Sequence, residues 1–367
     1  MKILIIGGSG TISTAVTARL TLQADAEVFV LNRGKRNDDL SLACETEAKR
    51  LGLVLKLPVF VKGDSKDETG LKSIVDSLLS KGERFDAVAD FIAFTKEDVE
   101  RDMRIFSEKT RQYIFIGSAS AYHKPLGDYR ITEGTSLANP FWKYSRDKIA
   151  CEDVLMSAYR TESFPVTIVR PSHTYGERSV PLGLHGAKGS WQIVRRMMEG
   201  KPVIIHGDGT SLWTITHNRD FARAFCGLVC NAKAIGEAVQ ITGDESLTWN
   251  QIYGCIASAV GVPLNAVHMS SEFLTLAGKL PVSGTPVYDF EGTLIGDKAN
   301  TVVFDNTKLK RLVNGFYSEI RFEDGVRETV RNILAHPELQ TSDPDFDLWC
   351  DKLIEAQSRF LDFLQNA

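Results

Sequence analysis

The chain has 367 residues, 43% of them hydrophobic and 25% charged, with a formal net charge of −4. That length sustains a large buried core without disulfides or metal, which excludes a disordered chain, a collagen-like fibre and a disulfide-stapled mini-domain. The acidic balance gives no whole-chain footprint for nucleic acid, and no apolar run reaches the roughly 18 residues of a membrane helix.

The apolar run Ile3–Ile6 is too short for a signal peptide, so the expectation is a cytoplasmic protein. It reads as a strand buried on both faces, followed by a helix over Thr11–Leu22. Strands at Glu27–Leu31, Val59–Val61, Ala87–Ala93, Tyr113–Ile116 and Val166–Val169 then alternate with helices. The helices fall at Leu40–Leu51, Glu68–Leu79, Glu97–Phe106 and Tyr144–Tyr159. This pitch predicts an α/β fold, a Rossmann-type doubly wound parallel sheet with right-handed crossovers. Beyond Pro171 the rhythm changes. Residues Ser172–Ser190 read as a long glycine-bearing loop, a substrate lid over a cleft. Helices at Trp191–Met198, Arg219–Val229 and Trp249–Val260 follow. Short strands fall near Val203–His206, Trp213–Thr216 and Val239–Thr242. Asp343-Pro344 opens a last helix, with Phe346, Trp349, Leu353 and Leu361 as its apolar contacts. The six cysteines are scattered and read as buried free thiols, with no metal site.

The first strand runs into Gly7-Gly8-Ser9-Gly10-Thr11-Ile12-Ser13. Glycines let the turn bring amide groups up to a pyrophosphate, and the following helix aims its positive end there. Gly7, Gly10, Thr11 and Ile12 are therefore cofactor-binding candidates. Ser13 stands where a third small residue is usual. The second strand ends in Asn32-Arg33-Gly34-Lys35-Arg36, with no acid for a ribose 2′-hydroxyl. Asn32 and Arg33 suit a 2′-phosphate, so NADP is expected, with NAD as the alternative.

Tyr144 and Lys148 lie one helical turn apart and face one side. A tyrosine titrates near ~10, and lowering it to about 7 takes ~4 kcal/mol, which a neighbouring ammonium helps to supply. Ser118 ends the preceding strand, where parallel sheets place ligands, and can hold a substrate oxygen while Tyr144 moves the proton.

These features together resemble an extended (atypical) short-chain dehydrogenase/reductase of the NAD-dependent epimerase/dehydratase type. The motifs that carry the likeness begin with GGSGTIS at 7–13, Gly63-Asp64, GSASAY at 117–122 and YSRDK at 144–148. They continue through Arg170-Pro171, Tyr175-Gly176, the HGDG run from His206, His217 with Asp220, and Thr242-Gly243. The resemblance implies that Asp64 contacts the adenine and that Ser118, Tyr144 and Lys148 are catalytic. It also implies that Lys148 binds the nicotinamide ribose, and that the protein forms a homodimer through the Tyr144 helix. It divides the chain into a nucleotide-binding domain (1–170 and 217–244) and a smaller mixed α/β substrate domain (171–216 and 245–367). Two departures shape the function. Sugar 4,6-dehydratases of the family carry acids where Ala119 and Ser120 stand, so elimination of water is not expected. Trp213 replaces an arginine that grips a diphosphate, and is either a stacking platform or a core residue. Arg178, Arg195 and Arg196 can substitute for that cation. Ser120, His173, Arg178 and Trp213 are the substrate candidates, while His217 is more structural in character.

The first reading is an NAD(P)-dependent epimerase-like oxidoreductase acting on a nucleotide sugar. The second is an NADPH-dependent reductase of a small carbonyl compound or sugar. The third follows from a likeness to the chloroplast stem-loop RNA-binding proteins, atypical members of the superfamily. The intact Ser118, Tyr144, Lys148 set argues against that third reading.

Overall fold

The computed structural model describes residues Met1–Asn366. Seven strands form one parallel sheet: β1 (Lys2–Ile6), β2 (Glu27–Asn32), β3 (Val59–Lys62), β4 (Ala87–Asp90), β5 (Tyr113–Ile116), β6 (Val166–Pro171) and β7 (Ala238–Ile241). Their order across the sheet is β7-β6-β5-β4-β1-β2-β3. The chain reverses direction of winding at β1, whose Ile6 pairs with Leu31 on one side and Asp90 on the other. A crevice opens there, beyond the carboxyl ends of β1 and β4.

The helices are α1 (Ser13–Thr21), α2 (Asn37–Leu51), α3 (Glu68–Leu78), α4 (Lys96–Phe106), α5 (Lys143–Glu162), α6 (Trp191–Met198), α7 (Asn218–Leu228), α8 (Trp249–Val260), α9 (Ser271–Gly278), α10 (Thr307–Leu312), α11 (Phe322–Ala335) and α12 (Pro344–Gln365). α1 packs between α2 and α7 on one face of the sheet, and α4 packs on α5 across the other. Alternate residues of β1 feed the two faces. Ile3 and Ile5 join one apolar cluster, and Leu4 and Ile6 the other. All four are fully buried, each contributing about 1.5–3 kcal/mol of transfer free energy. A third cluster, built from residues between Ala119 and Leu353, lies beyond the carboxyl ends of β5 and β6. It packs α6, α8, α11 and α12 around two small sheets. One joins Ser246–Thr248, Leu212–His217 and His173–Tyr175; the other pairs Val203–His206 with Ala266–Met269.

Four sequence expectations are corrected. The fourth strand stops at Asp90, because that carboxylate accepts bonds from the Ile92 and Ala93 amides and bends the chain away. The segment Ser172–Ser190 is not a free lid: Val180, Leu182 and Leu184 are buried in the third cluster. Leu361 is 53% exposed, whereas Phe346, Trp349 and Leu353 are buried as expected. Of the cysteines, Cys44, Cys151 and Cys350 are buried, but Cys230 is exposed.

Candidate active site

The glycine turn is fixed by its own side chains. Ser13 Oγ donates to the Gly7 carbonyl (2.7 Å) and accepts from the Gly10 amide (2.8 Å). The serine in the third small position thus clamps the turn. Thr17 Oγ1 holds the Gly8 carbonyl at 3.0 Å. Gly7 has φ +78°, and a Cβ there would lie 2.5 Å from Ile92 Cγ2.

Beside this turn lies a crevice of about 540 Å³, lined by Gly7, Gly10, Asn32, Arg33, Lys35 and Asp64 among others. Arg33 and Lys35 are exposed on its rim. The Asn32 side chain is already engaged, accepting from the Gly34 amide and donating to Asn37 Oδ1. It shapes the basic turn while lining the crevice. Thr11 lies in a neighbouring groove with Arg178, and Ile12 packs against the sheet core.

A second cavity, about 280 Å³, opens at the ends of β5 and β6. It is lined by Ser118, Ser120, Tyr144, His173 and Trp213, so five of the expected site residues converge. It also holds Lys124, Trp142, Asp297 and Lys298, which the sequence reading did not single out. Arg178 is absent from this lining and pairs with Asp39 at 3.1 Å instead. Arg195 pairs with Glu199, and Arg196 with Asp347, so neither supplies a cation to the cavity. His217 caps α7, its Nδ1 accepting from the Arg219 amide.

Tyr144 sits in the first turn of α5, its ring against Trp142 at 4.9 Å and Phe94 at 6.4 Å. Asn139 sets this helix end. Its Oδ1 accepts from the Phe141 and Trp142 amides, while its Nδ2 donates to the carbonyls of Ser120 (2.9 Å) and Gly296 (2.7 Å). Three hydroxyls run in a row: Ser145 donates to Ser120 at 2.7 Å, and Ser120 meets Ser118 at 2.8 Å. Burial pushes the Tyr144 phenol above its ordinary pKa; the Ser118 hydroxyl pulls it back and Asp297 pushes it further up.

Lys148 Nζ lies 5.9 Å from the centre of the Tyr144 ring, on the same side of the helix. It donates to the carbonyls of Ala93 and Ile116, both at 2.7 Å, and stands 4.4 Å over the Phe94 ring. Burial lowers its pKa to about 8. Two of its three hydrogens are thus held by backbone, and the third is left for a ligand. Burial likewise lowers His173 to about 3, with Lys298 and His185 adding repulsion, so that imidazole is neutral.

A family model described as the NAD dependent epimerase/dehydratase family matches residues 3–242. The chain belongs to that family. The family's description is that of NAD-dependent enzymes. It is 28% identical over 262 residues to the chloroplast stem-loop binding protein of 41 kDa b of Arabidopsis thaliana, covering 71% of this chain and 64% of that protein. The match thus spans less than two thirds of that relative's length. It is 24% identical over 273 residues to 2'-dehydrokanamycin reductase of Streptomyces kanamyceticus, covering 74% of this chain and 70% of that one. Among solved structures, dTDP-glucose 4,6-dehydratase of Bacillus anthracis strain Ames in complex with NAD superposes with a TM-score of 0.69. That likeness, at 18% identity over 92% of this chain and 98% of that one, is one of fold. No helix among the described residues is long and apolar enough to cross a membrane.

Proposed function

We propose that this member of the epimerase/dehydratase family is an NAD(P)-dependent, epimerase-like oxidoreductase acting on a nucleotide sugar. The observation that carries the reading is that Ser118 and Tyr144 line one cavity, with Lys148 Nζ behind them 5.9 Å from the Tyr144 ring, while Phe94 of the glycine-lined crevice faces that same ring. The crevice suits a dinucleotide, since its turn tolerates no side chain at Gly7 and its rim carries Arg33 and Lys35. Those two cations favour NADP over NAD, because guanidinium and ammonium groups pair with a 2′-phosphate. Gly7, Gly10 and the amides of Thr11 and Ile12 hold the pyrophosphate in this reading, and Asp64 faces the adenine. When bound, the dinucleotide supplies hydride transfer to and from a carbon of the substrate.

The chain's own residues move the proton. Tyr144 Oη takes it from the substrate hydroxyl as the carbonyl forms and gives it back as the alcohol is restored. Ser118 Oγ donates to the same substrate oxygen. Lys148 is held by Ala93 and Ile116 where its charge stabilises the Tyr144 phenolate through space. The buried phenol is neutral until that charge, with the positive ring of the oxidised cofactor, favours ionisation. Trp213 and the neutral His173 wall the cavity. Residues 1–170 with 217–244 form the nucleotide-binding part in this proposal, and the remainder the substrate part.

The test is a sugar-nucleotide panel with either dinucleotide. Inversion at one carbon without net consumption of cofactor is expected. In Tyr144→Phe, turnover should fall about 10²–10⁴-fold with dinucleotide affinity unchanged. Turnover that survives this change would remove Tyr144 from the chemistry.

A further inference from the structure

The substrate cavity contains charges that the proton-transfer chemistry does not use. Lys124 is 1% exposed, and its Nζ has no hydrogen-bond partner. Lys298, 9% exposed, lines the same cavity. Among the described residues, neither ammonium lies within 4.0 Å of a carboxylate. Asp297 lies in the same lining, near enough for its charge to act on both lysines.

This cluster is built, not incidental. Asp297 and Lys298 end a π-helical segment, Glu291–Lys298. Wide turns of this kind are rare and recur at functional sites. The segment is anchored from two sides. Asn139 Nδ2 holds the Gly296 carbonyl at 2.7 Å. His206 Nε2 and Trp249 Nε1 both donate to the Lys298 carbonyl, each at 3.0 Å. The backbone that presents the two charges is thus fixed by three buried side chains.

We propose that the Lys124–Lys298 pair binds a carboxylate borne by the substrate, so that the preferred substrate class is sugar acids. This rests on the nucleotide-sugar reading above and names the sugar. A buried ammonium without a partner is costly and is relieved by a ligand anion. Two lysines against one aspartate leave one positive charge in excess. That balance matches a monoanion; a phosphate dianion would meet the Asp297 carboxylate as a repelling neighbour. The neutral His173 adds no charge. Ser118 and Tyr144 on the same cavity then reach a hydroxyl of the same small molecule.

The test titrates the NADP⁺-saturated enzyme calorimetrically with UDP-glucuronate, UDP-glucose, glucuronate and glucose. Each acid should bind at least 10-fold more tightly than its neutral partner. Lys124→Met and Lys298→Met should each erase that preference while NADPH affinity stays unchanged. Having two variants guards against one that fails to fold. Equal binding of acid and neutral sugar overturns the proposal. So does a preference that survives both substitutions, or the absence of binding by either acid. The parent reading is scored separately: free sugars binding as tightly as their UDP forms would sink the nucleotide-sugar assignment and leave the carboxylate preference standing.

Discussion

At the scale of single residues, the glycine turn and the lysine make the sharpest demands. Gly7 cannot accept a methyl group without displacing Ile92, and its φ lies in the left-handed region. Gly7→Ala should cost about 1–3 kcal/mol, read as a lower Tm, and weaken dinucleotide binding in a fluorescence titration. Lys148 titrates near about 8 in the folded chain, below the ~10.4 of an unfolded one. The cost of burying its charge is fully present below pH 8 and is relieved as pH rises from there toward ~10.4. Two results follow. Turnover that depends on the ammonium should fall as pH rises through about 8. The Tm gained in Lys148→Met should be largest below that pH and shrink above it. The glycines, Ser118, Tyr144 and Lys148 were legible in the sequence because each follows a strand or opens a helix at a fixed offset. Lys124, Asp297 and Lys298 were not, since nothing local marks a charge that only tertiary packing brings to a cavity. Nor did the sequence show that Asn32, a short amide two residues before a Gly, also bonds its own turn.

At the scale of elements, α5 carries the candidate proton-transfer pair Tyr144 and Lys148, and a buried ion pair holds it. Its Glu152 forms a buried ion pair with Arg170 of β6, at 2.6 Å and with further bonds at 3.1 Å. Arg170 also faces the Tyr122 ring at 5.0 Å. Glu152→Ala leaves that guanidinium buried and uncompensated, a loss of about 3–5 kcal/mol measurable by urea unfolding. Restoring partial activity without restoring stability by a second change, Arg170→Met, would contradict this account. The strand and helix pattern of the first 170 residues was readable from period and length. Where it erred, a side chain ended the element early, as at Asp90. The loop after Pro171 was misread because its glycines suggested freedom, whereas Val180, Leu182 and Leu184 anchor it in a core.

At the scale of the whole molecule, the body built on the seven-stranded sheet is discontinuous in sequence. β7 covers the edge of β6, and α7 packs on α1, though both follow the excursion through residues 171–216. A fragment ending at residue 170 would bare the β6 edge and the apolar face of α1. It should show no cooperative thermal transition by circular dichroism, whereas the full chain should. The sequence exposed this return only through the strand near Val239, because pairing partners so distant leave no local trace. The π-helical segment has a mechanical consequence. Two carbonyls at its carboxyl end are tied in opposite directions, Gly296 to Asn139 just before α5, and Lys298 to His206 and to Trp249 of the third cluster. The segment is therefore a strut between the two halves of the molecule. Prising them open like jaws would strand the Gly296 or the Lys298 carbonyl, at a cost of about 1–3 kcal/mol that resists such a motion.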